Sequence, residues 1–414
     1  MIPVTGLGMP SGPAPPAVVG VPLRLLRLLV AVAGCGSASR AALRLHQSVS
    51  AVTRGVQQAE TLLGLPLFER GARGMAPTPA GALLVARATR ALAELQQGAG
   101  LALASRASDA MLQALSAVAA TRSEAAAAAR LGLSQPAVHG ALRQLEHAAR
   151  RPLFERSRRG TRLTESGEAL LRHARLALAE LRVGHDELAA FRGLSPGHVM
   201  VGALPMTSEV LVPQALSRLF AAQPGVRATV VDGTYEALLH QLRHGDLDLM
   251  VGPLRGERCP ADIDEQLLFV DRLLPVVRGG HPVLSGAAGQ ASRGARTLKA
   301  LQRWPWIGPL PDTPARAAFE RAFVAAGLAP PAVQLQANSP SVMRAVLQHG
   351  DAVALVSPLQ IRAELASGAL VTLKLSVSGT ERGIGVSLRR AGLASPACRA
   401  LLQELQQVSA GLWS

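Results

Sequence analysis

A segment in the front half of the chain occurs twice, with an offset of 86 residues. The run Pro66–Arg70 (PLFER) recurs as Pro152–Arg156, and without any gap 21 of the 48 residues in 48–95 are identical to their counterparts in 134–181. Self-similarity at a fixed period indicates one structural unit that is used repeatedly. The front half is therefore predicted to contain the same fold twice, as copy one and copy two.

Each copy is predicted to begin with three helices. In copy two, Asp109 is expected to cap the first helix, Ser123 the second, and Ser134 the third, which carries Pro136 in its first turn. A short turn that contains Gly132 connects the second helix to the third. Such a connection is typical of a helix-turn-helix unit.

A basic hairpin and a long helix complete each copy. In copy two, Leu153 and Phe154 precede a tip rich in arginine, and Thr164 is expected to cap a helix over about 166–190. Apolar residues recur along this helix and its counterpart at heptad spacing: Leu171, Ala174, Leu178, Leu181 and Leu188, and Val85, Ala88, Leu92, Leu95, Ala99 and Ala102. Such a seam pairs with another helix or packs against its own domain, and the spacing leaves both open.

Basic residues are concentrated in the front half of the chain. Residues 1–195 contain 23 basic and 12 acidic residues, whereas residues 196–414 contain 20 basic and 16 acidic residues. This asymmetry predicts that the front half binds a polyanion such as DNA. An arginine-rich composition throughout the chain is the alternative explanation, but it does not by itself produce the asymmetry.

Residues at fixed offsets in copy two resemble the signature of the LysR-type transcriptional regulators. They are Ser134 to Val138, Leu145 and Glu146, Leu153 to Arg156, Leu163 and Thr164, and Gly167. The resemblance is strong over copy two, less complete over copy one, and extends to the remainder as that family's effector-binding domain. It implies an α/β fold overall. Two mostly helical winged helix-turn-helix domains with linker helices precede a two-subdomain α/β effector domain that resembles periplasmic binding proteins.

Composition, the repeat and the resemblance together predict a division of the chain into six segments. A disordered Pro/Gly-rich tail (1–21) precedes the first winged helix-turn-helix (22–80) and its linker helix (81–106). The second winged helix-turn-helix (108–165), its linker helix (166–194) and the effector-binding domain (196–414) follow.

In that family the third helix lies in the major groove of DNA, with the hairpin wing beside it. The DNA-binding residues implied for copy two are Ser134, Gln135, Pro136, His139, Arg143, Arg156, Arg158, Arg159 and Arg162. Those implied for copy one are Ser48, Val49, Ser50, Thr53, Arg54, Gln57, Arg70 and Arg73. The residue types agree with this role, because Gln pairs with adenine, Arg pairs with guanine, and hydroxyls and wing arginines suit phosphates. For each arginine alone, a solvated surface charge is the alternative.

The two copies depart from the family pattern at different positions. Copy one has Val49 and Ser50 where Gln and Pro are usual, whereas copy two has His139 and Gly140 in mid-helix and Arg150 where a Gly cap is expected. Either one copy is kept only for pairing, or both bind DNA as an internal pseudo-dimer. The similar net charges, +6 over 24–95 and +5 over 110–181, favour the second alternative.

From Gly197 onwards, short apolar runs alternate with helical segments. Strands are expected at 198–203, 226–231 and 247–251, and helices at 207–221 and 235–243, which is typical of a mostly parallel sheet. The resemblance implies a first subdomain at about 196–267 with 370–414 and a second at about 270–368. The chain is expected to cross between them near 267–270 and 370–375.

Turns that follow strands supply candidate effector-binding residues. Thr207 and Ser208 follow the first strand, Thr234 follows the second, and Ser339 opens a helix of the second subdomain. Helix N-termini at the carboxyl ends of strands bind anions, which favours an anionic effector. A simple helix cap is the alternative role, and a cap and a ligand contact are compatible. Tyr235 is expected to shape the pocket, whereas Trp304 and Trp306 fit core packing better.

Other functions find little support in the residues. The three cysteines, Cys35, Cys259 and Cys398, lie far apart, which predicts neither a disulfide framework nor a zinc site and favours the cytoplasm. The apolar run after Arg27 resembles a signal peptide, but a Pro/Gly-rich tail precedes it and the repeat accounts for it. No apolar run is long enough for a membrane span. No catalytic motif points to an enzyme, and no cofactor is expected.

We therefore predict a transcription regulator that binds double-stranded DNA as a homodimer or homotetramer. A small molecule in the cleft of the effector domain is expected to change the spacing of the DNA-binding units, with two-fold pairing through the linker helices. The alternative is a solute-binding protein whose helix-turn-helix segments serve only pairing.

Overall fold

The computed structural model describes most of the chain: residues 21–71, 74–157, 160–193, 197–284, 297–392 and 394–412. The predicted tail over 1–21 lies outside these residues except for Val21. The chain divides into two compact units at Gly197 and His198, with the turn His244–Asp246 grouped with the first. The first unit contains the repeat, and the second contains the alternating strands and helices.

Both copies contain the same elements in the same order. Copy one consists of α1 (Leu23–Cys35), α2 (Ala38–Leu45), α3 (Val49–Leu63), β1 (Phe68–Gly71), β2 (Gly74–Pro77) and α4 (Pro79–Arg106). Copy two consists of α5 (Asp109–Thr121), α6 (Glu124–Leu131), α7 (Gln135–Ala149), β3 (Phe154–Ser157), β4 (Gly160–Leu163) and α8 (Glu165–Phe191). Every element of copy two begins 86 residues after its counterpart. The tandem duplication is therefore confirmed.

Side-chain caps explain where most of these helices begin. The hydroxyl of Thr164 accepts a hydrogen bond from the backbone N–H of Gly167 at 3.0 Å, just as Thr78 accepts from Gly81 in copy one. The cap predicted at Asp109 is wrong. Ser108 caps α5, because only the residue before the first helical position can turn its side chain back onto the third backbone N–H.

Left-handed residues end the first three helices of each copy, and the two copies carry different residues at all three of these positions. Gly64 ends α3 with φ of 64°, and its counterpart Arg150 ends α7 with φ of 54°. The glycine expected after α7 is thus replaced by an arginine in the same conformation. A side chain raises the energy of this conformation by about 1–2 kcal/mol.

The two long helices, α4 and α8, pack against each other. The buried seam consists of Leu84, Ala88, Ala91 and Leu95 on α4 and of Leu171, Ala174, Ala177, Leu181 and Leu188 on α8. It is rotated slightly from the predicted seam, because Leu92 and Leu178 are only half-buried. The heptad spacing correctly indicates a paired helix, and the partner is the other long helix of the same chain.

The strands described in the second unit form two sheets. In spatial order, the first contains β6 (Arg227–Asp232), β5 (His198–Ala203), β7 (Leu249–Pro253), β14 (Glu381–Arg389) and β8 (Ile263–Arg272). The second contains β11 (Val333–Gln336), β10 (Trp306–Gly308), β12 (Val353–Val356), β9 (Leu274–Arg278) and β13 (Leu370–Thr372). Each sheet is parallel around β5 or β10 and antiparallel around β14 or β9.

Helices lie between these strands along the chain, as in an α/β fold. They are α9 (Leu211–Ala222), α10 (Tyr235–Arg243), α11 (Leu298–Leu301), α12 (Pro314–Ala325), α13 (Pro340–His349), α14 (Arg362–Ser367) and α15 (Pro396–Gly411). Short 3-10 turns lie at Gly256–Arg258, Pro282–Leu284 and Pro358–Ile361. Trp306 is fully buried against Phe319 and Phe323, as expected for core packing.

Three boundaries in the second unit differ from the prediction. The helix expected from residue 207 begins at Leu211, because the buried Thr207 hydroxyl donates to the backbone oxygens of Leu204 and Val251 and fixes a turn. β8 stays paired with β14 as far as Arg272, so the first crossing lies at Leu273 rather than at 267–270. The return crossing follows β13 and ends at Glu381, later than the predicted 370–375.

Candidate functional site

The third helix of copy two, α7, presents a polar face. Val138, Leu142 and Leu145 are buried, which turns Ser134, Gln135, Pro136 and Arg143 outward, where they are exposed. The Ser134 hydroxyl accepts from the backbone N–H of Ala137 and so caps the helix. The predicted DNA-binding residues on this helix are therefore available to a ligand.

His139 is the exception on this face, because it already contacts a carboxylate of its own copy. Its Nδ1 lies 3.1 Å from Oε2 of Glu124 at the start of α6, and the side chain is only partly exposed. The contact joins the two helices of the helix-turn-helix. A base contact by His139 stays a prediction.

The equivalent helix of copy one, α3, has the same orientation with different side chains. Ser48 caps it through the backbone N–H of Ala51 at 3.2 Å, and its hydroxyl lies 3.0 Å from that of Ser50. Ser48, Ser50 and Arg54 are exposed, and Thr53 is half-exposed. Val49 and Gln57 are exposed on the same helix.

A carboxylate joins each of these helices to its hairpin. Oε1 of Glu60 accepts from the backbone N–H groups of Leu67 and Phe68 at 2.8 and 3.2 Å. Glu146 makes the same two contacts in copy two. This role was not predicted from the sequence, although Glu146 belongs to the family signature and Glu60 is its equivalent in copy one. Their identity at equivalent positions, three helical turns after the cap, was the available signal.

The predicted wing arginines are only partly described. Arg162 in β4 is exposed. The backbones of Arg70 and Arg156 lie in β1 and β3, but their side chains are not described, and Arg73, Arg158 and Arg159 lie outside the described residues. Their contacts with DNA stay predictions.

A cavity of about 250 Å³ lies in the second unit between its two sheets. Thr234 and Ser339 line it and also cap α10 and α13, through the N–H groups of Ala237 and Val342. Thr207 and Ser208 are not among the lining residues; their hydroxyls donate to nearby backbone oxygens. The structure thus brings together two of the four predicted effector-binding residues.

Tyr235 and Arg255 form a polar corner of this cavity. The Arg255 guanidinium carbon lies 3.9 Å from the centre of the Tyr235 ring, and its Nη1 donates to the backbone oxygen of Asp312 at 2.7 Å. Among the described residues, neither the Tyr235 hydroxyl nor Arg255 Nε has a hydrogen-bond partner, although both atoms are buried. Burial raises the pKa of Tyr235 to about 12, so its phenol is neutral and able to donate.

A buried ion pair lies beside the cavity, and one of its two partners lines it. Arg382 on β14 lines the cavity, and its guanidinium donates to Oδ2 of Asp271 on β8 at 2.9 and 2.8 Å. The other oxygen of Asp271 accepts from the hydroxyl of Ser357, just after β12. The ion pair therefore joins β8 and β14 close to the two points where the chain crosses between the sheets. Sequence reasoning missed it because the partners are 111 residues apart.

The described residues contain neither a candidate metal site nor a candidate membrane span. There, no group of His, Cys, Asp and Glu is arranged to hold a metal ion. None of the described helices is long and apolar enough to cross a membrane.

Two protein-family models match the chain. The model described as "LysR substrate binding domain" matches residues 192–410. The model described as "Bacterial regulatory helix-turn-helix protein, lysR family" matches twice, at residues 23–82 and 109–168. The double match falls on the two copies.

Two relatives are similar over nearly their full length. The HTH-type transcriptional regulator GalR of Pseudomonas putida is 36% identical over 397 residues, which cover 93% of this chain and 97% of the relative. The regulator PcaQ of Agrobacterium fabrum is 31% identical over 302 residues, which cover 73% of this chain and 95% of the relative. The first alignment must include most of both copies, whereas the second leaves about a quarter of this chain unmatched.

A solved structure shares the fold. Full-length OxyR from Pseudomonas aeruginosa, determined as a variant, superimposes with a TM-score of 0.55 at 19% identity, and the match covers 72% of this chain and 94% of that chain.

Proposed function

The chain belongs to the LysR-type transcriptional regulators, DNA-binding proteins with an effector-binding domain, and we propose that both of its helix-turn-helix copies bind double-stranded DNA. One observation supports this most strongly. α3 and α7 have the same serine cap, the same glutamate contact to the hairpin, and an exposed polar face with at least one arginine. A copy kept only for pairing would not need that face.

The effector is proposed to be a small anion that carries an apolar body. Arg382 is already neutralised by Asp271, which leaves Arg255 as the cation with a buried nitrogen available. Leu204, Met206, Ile307 and Met343 supply an apolar lining. A cavity of about 150 Å³ holds benzene, so this one suits a somewhat larger molecule.

The assembly of chains is also part of the proposal. The seam that was expected to join two chains is already covered, because α4 packs on α8 within one chain. A homodimer or homotetramer would then form through other surfaces. A cytoplasmic location is also part of the proposal, since the protein is proposed to bind DNA.

Protection of the chain's own upstream DNA tests the main proposal. We expect Arg54→Ala and Arg143→Ala each to weaken the footprint, because each removes one exposed arginine from a recognition helix. Lys299→Ala is the control, since it removes an exposed charge from the second unit. Unchanged protection with both arginine variants would contradict DNA binding by these helices.

Benzoate, a ring with one carboxylate, tests the effector site. We expect benzoate to raise the melting temperature of the wild type, and Arg255→Met to abolish that shift. The control is Arg258→Met, which removes an exposed arginine that does not line the cavity. Equal shifts in the two variants would contradict a role for Arg255.

A further inference from the structure

The contacts between α4 and α8 are reciprocal. Nη1 of Arg87 on α4 lies 2.9 Å from Oε2 of Glu180 on α8, and Nδ1 of His173 on α8 lies 2.8 Å from Oε2 of Glu94 on α4. Residues 87 and 173 are equivalent in the repeat, and so are 94 and 180. The same contact between a basic residue and a glutamate is therefore made twice with the copies exchanged.

Two glycines at equivalent positions also make equivalent close approaches between α4 and α8. A Cβ added at Gly98 would come within 2.7 Å of the His173 Cβ, and one added at the equivalent Gly184 would come within 3.2 Å of the Arg87 Cβ. Contacts that are preserved when two units are exchanged define a two-fold relation. The helices are antiparallel, because residues late in α4 contact residues early in α8. One chain thus contains a pseudo-two-fold pair.

This pairing places the two recognition units at opposite ends. Thr78 and the copy-one hairpin lie at the start of α4, and Thr164 and the copy-two hairpin lie at the start of α8. A helix of 27 or 28 residues spans roughly 40 Å at about 1.5 Å per residue. Successive major grooves on one face of DNA are about 34 Å apart, which is a comparable distance.

Buried charges favour this pair over pairs between identical helices. Arg87 donates to both Glu187 oxygens, at 2.8 and 2.7 Å, as well as to Glu180, and its side chain is only 4% exposed. The counterpart of Glu187 in copy one is Leu101. Two α4 helices would therefore give Arg87 one carboxylate fewer. Two α8 helices would bring Glu180 and Glu187 against His173 and no arginine.

The two recognition faces are not alike. Arg54 of α3 is replaced by Gly140 in α7, and Gln57 is replaced by Arg143. Val49 is likewise replaced by Gln135. Since base recognition depends on the side chain at each position, the two helices cannot prefer the same bases.

We propose that one chain forms a complete DNA-binding unit with two different recognition helices. This unit binds a non-palindromic site, made of two different half-sites, in one fixed orientation. A two-fold homodimer reads an inverted repeat because its two helices are identical. In this chain the two copies keep the two-fold arrangement, but their recognition helices are no longer identical. This inference rests on the proposed function, in which both copies bind DNA.

Selection from a random double-stranded DNA library by the full chain tests the inference. We expect two dissimilar half-sites about one helical turn apart. Arg54→Ala should relax base preference in one half only, and Arg143→Ala in the other half only, each by roughly 5- to 150-fold at the contacted base pair. An enriched inverted repeat, or relaxation of both halves by one variant, would overturn the inference.

Three duplexes sharpen the test: the selected site, and two palindromes built from either half used twice. We expect the selected site to bind at least about tenfold more tightly than both palindromes, because each palindrome mismatches one helix. A palindrome that binds as well as the selected site would overturn the inference and leave the proposed function intact. Absence of binding to any duplex would instead contradict the proposed function.

Discussion

At the scale of single residues, the ionisation of Tyr235 is sensitive to the environment of the proposed effector cavity. It is the only tyrosine in the chain, so its ionisation can be followed without any assignment. Its hydroxyl is buried at the cavity wall and lies beside Arg255, which acts against burial by favouring the ionised phenol. Burial has the larger effect, and the pKa is raised.

Titration of the native chain should show a tyrosine pKa of about 12, compared with 10.0 for a free tyrosine. Because the pKa is raised by folding, the neutral phenol contributes stability below pH of about 10 that is lost as the pH rises towards 12. The measurement is tyrosinate absorbance against pH, with the urea-unfolded chain as the control. A native midpoint equal to the unfolded one would show that Tyr235 is solvated.

Arg150→Gly should stabilise the first unit by up to about 1 kcal/mol. The substitution relieves a left-handed arginine at the end of α7, partly offset by the greater freedom of glycine in the unfolded chain. The reverse change, Gly64→Ala, should destabilise by about 1 kcal/mol, since a Cβ there meets no other atom and only the backbone conformation is affected. Urea unfolding measures both, and a loss of stability in Arg150→Gly would contradict the argument.

At the scale of elements, two buried ion pairs connect pairs of elements. In the first unit, Arg87 joins α4 to α8. Burial alone would lower its pKa, but hydrogen bonds to Glu187 and Glu180 outweigh burial and raise the pKa, so the guanidinium stays charged. In the second unit, Arg382 and Asp271 join β14 to β8. Removing one partner leaves the other charge buried without compensation.

Arg87→Met should lower the free energy of unfolding by about 3–5 kcal/mol, because Glu187 and Glu180 both lose a buried cation and Glu180 keeps only the more exposed Arg90. Arg90→Met is the matched control on the same helix. Arg90 also contacts Glu180, but its side chain is 36% exposed, so we expect a loss of at most about 1 kcal/mol. Circular dichroism during urea unfolding gives both values, and equal losses would count against the burial argument.

Asp271→Asn should destabilise the second unit by about 3–5 kcal/mol, because Arg382 is then left charged and buried. The adjacent pair on the same two strands, Arg272 and Glu381, has side chains that are 69% and 42% exposed. Glu381→Gln should therefore cost less than about 1 kcal/mol. Thermal unfolding of the two variants compares them directly. A larger loss of stability in Glu381→Gln than in Asp271→Asn would contradict the argument that the buried pair contributes more.

At the scale of the whole molecule, the excess positive charge and the repeat lie in the same half of the chain. The front half carries most of the excess positive charge, and both recognition units lie there. The remainder has nearly balanced charge and contains the cavity proposed for the effector. We therefore expect the salt dependence of DNA affinity to come from the basic residues of the first unit.

Arg162→Ala should weaken DNA binding equally for all sequences and reduce the slope of log affinity against log salt by about one. Arg162 is exposed on β4 of the copy-two hairpin, where a phosphate contact is expected. Lys299→Ala in the second unit should leave the slope unchanged. Fluorescence anisotropy at several salt concentrations measures it. An unchanged slope with Arg162→Ala would remove this arginine from the interface.

Sequence reasoning succeeds where the relevant contacts are local. The caps at Thr164 and Ser134 bond to N–H groups three residues away, and the strand 198–203 and the helix 235–243 are indicated by the local alternation of apolar and polar residues. The cap at Asp109 was one residue away from the true one, and the start of α9 was four residues away. Thr207 shows why the second error arose. Its hydroxyl bonds to Val251, which is 44 residues away, so local pattern could not show that the residue belongs to a buried turn.

The repeat by itself determined that this protein carries one DNA-binding fold twice, because two segments that share their helix caps, their hairpin residues and most of their buried positions fold in the same way. Only the tertiary structure decided that the two long helices pair with each other within the chain. That choice depends on Arg87, which a sequence pattern assigns to the surface, and on carboxylates 93 and 100 residues away that allow its charge to be buried. The heptad spacing indicates that each long helix needs a partner helix. The buried charges identify which helix that partner is.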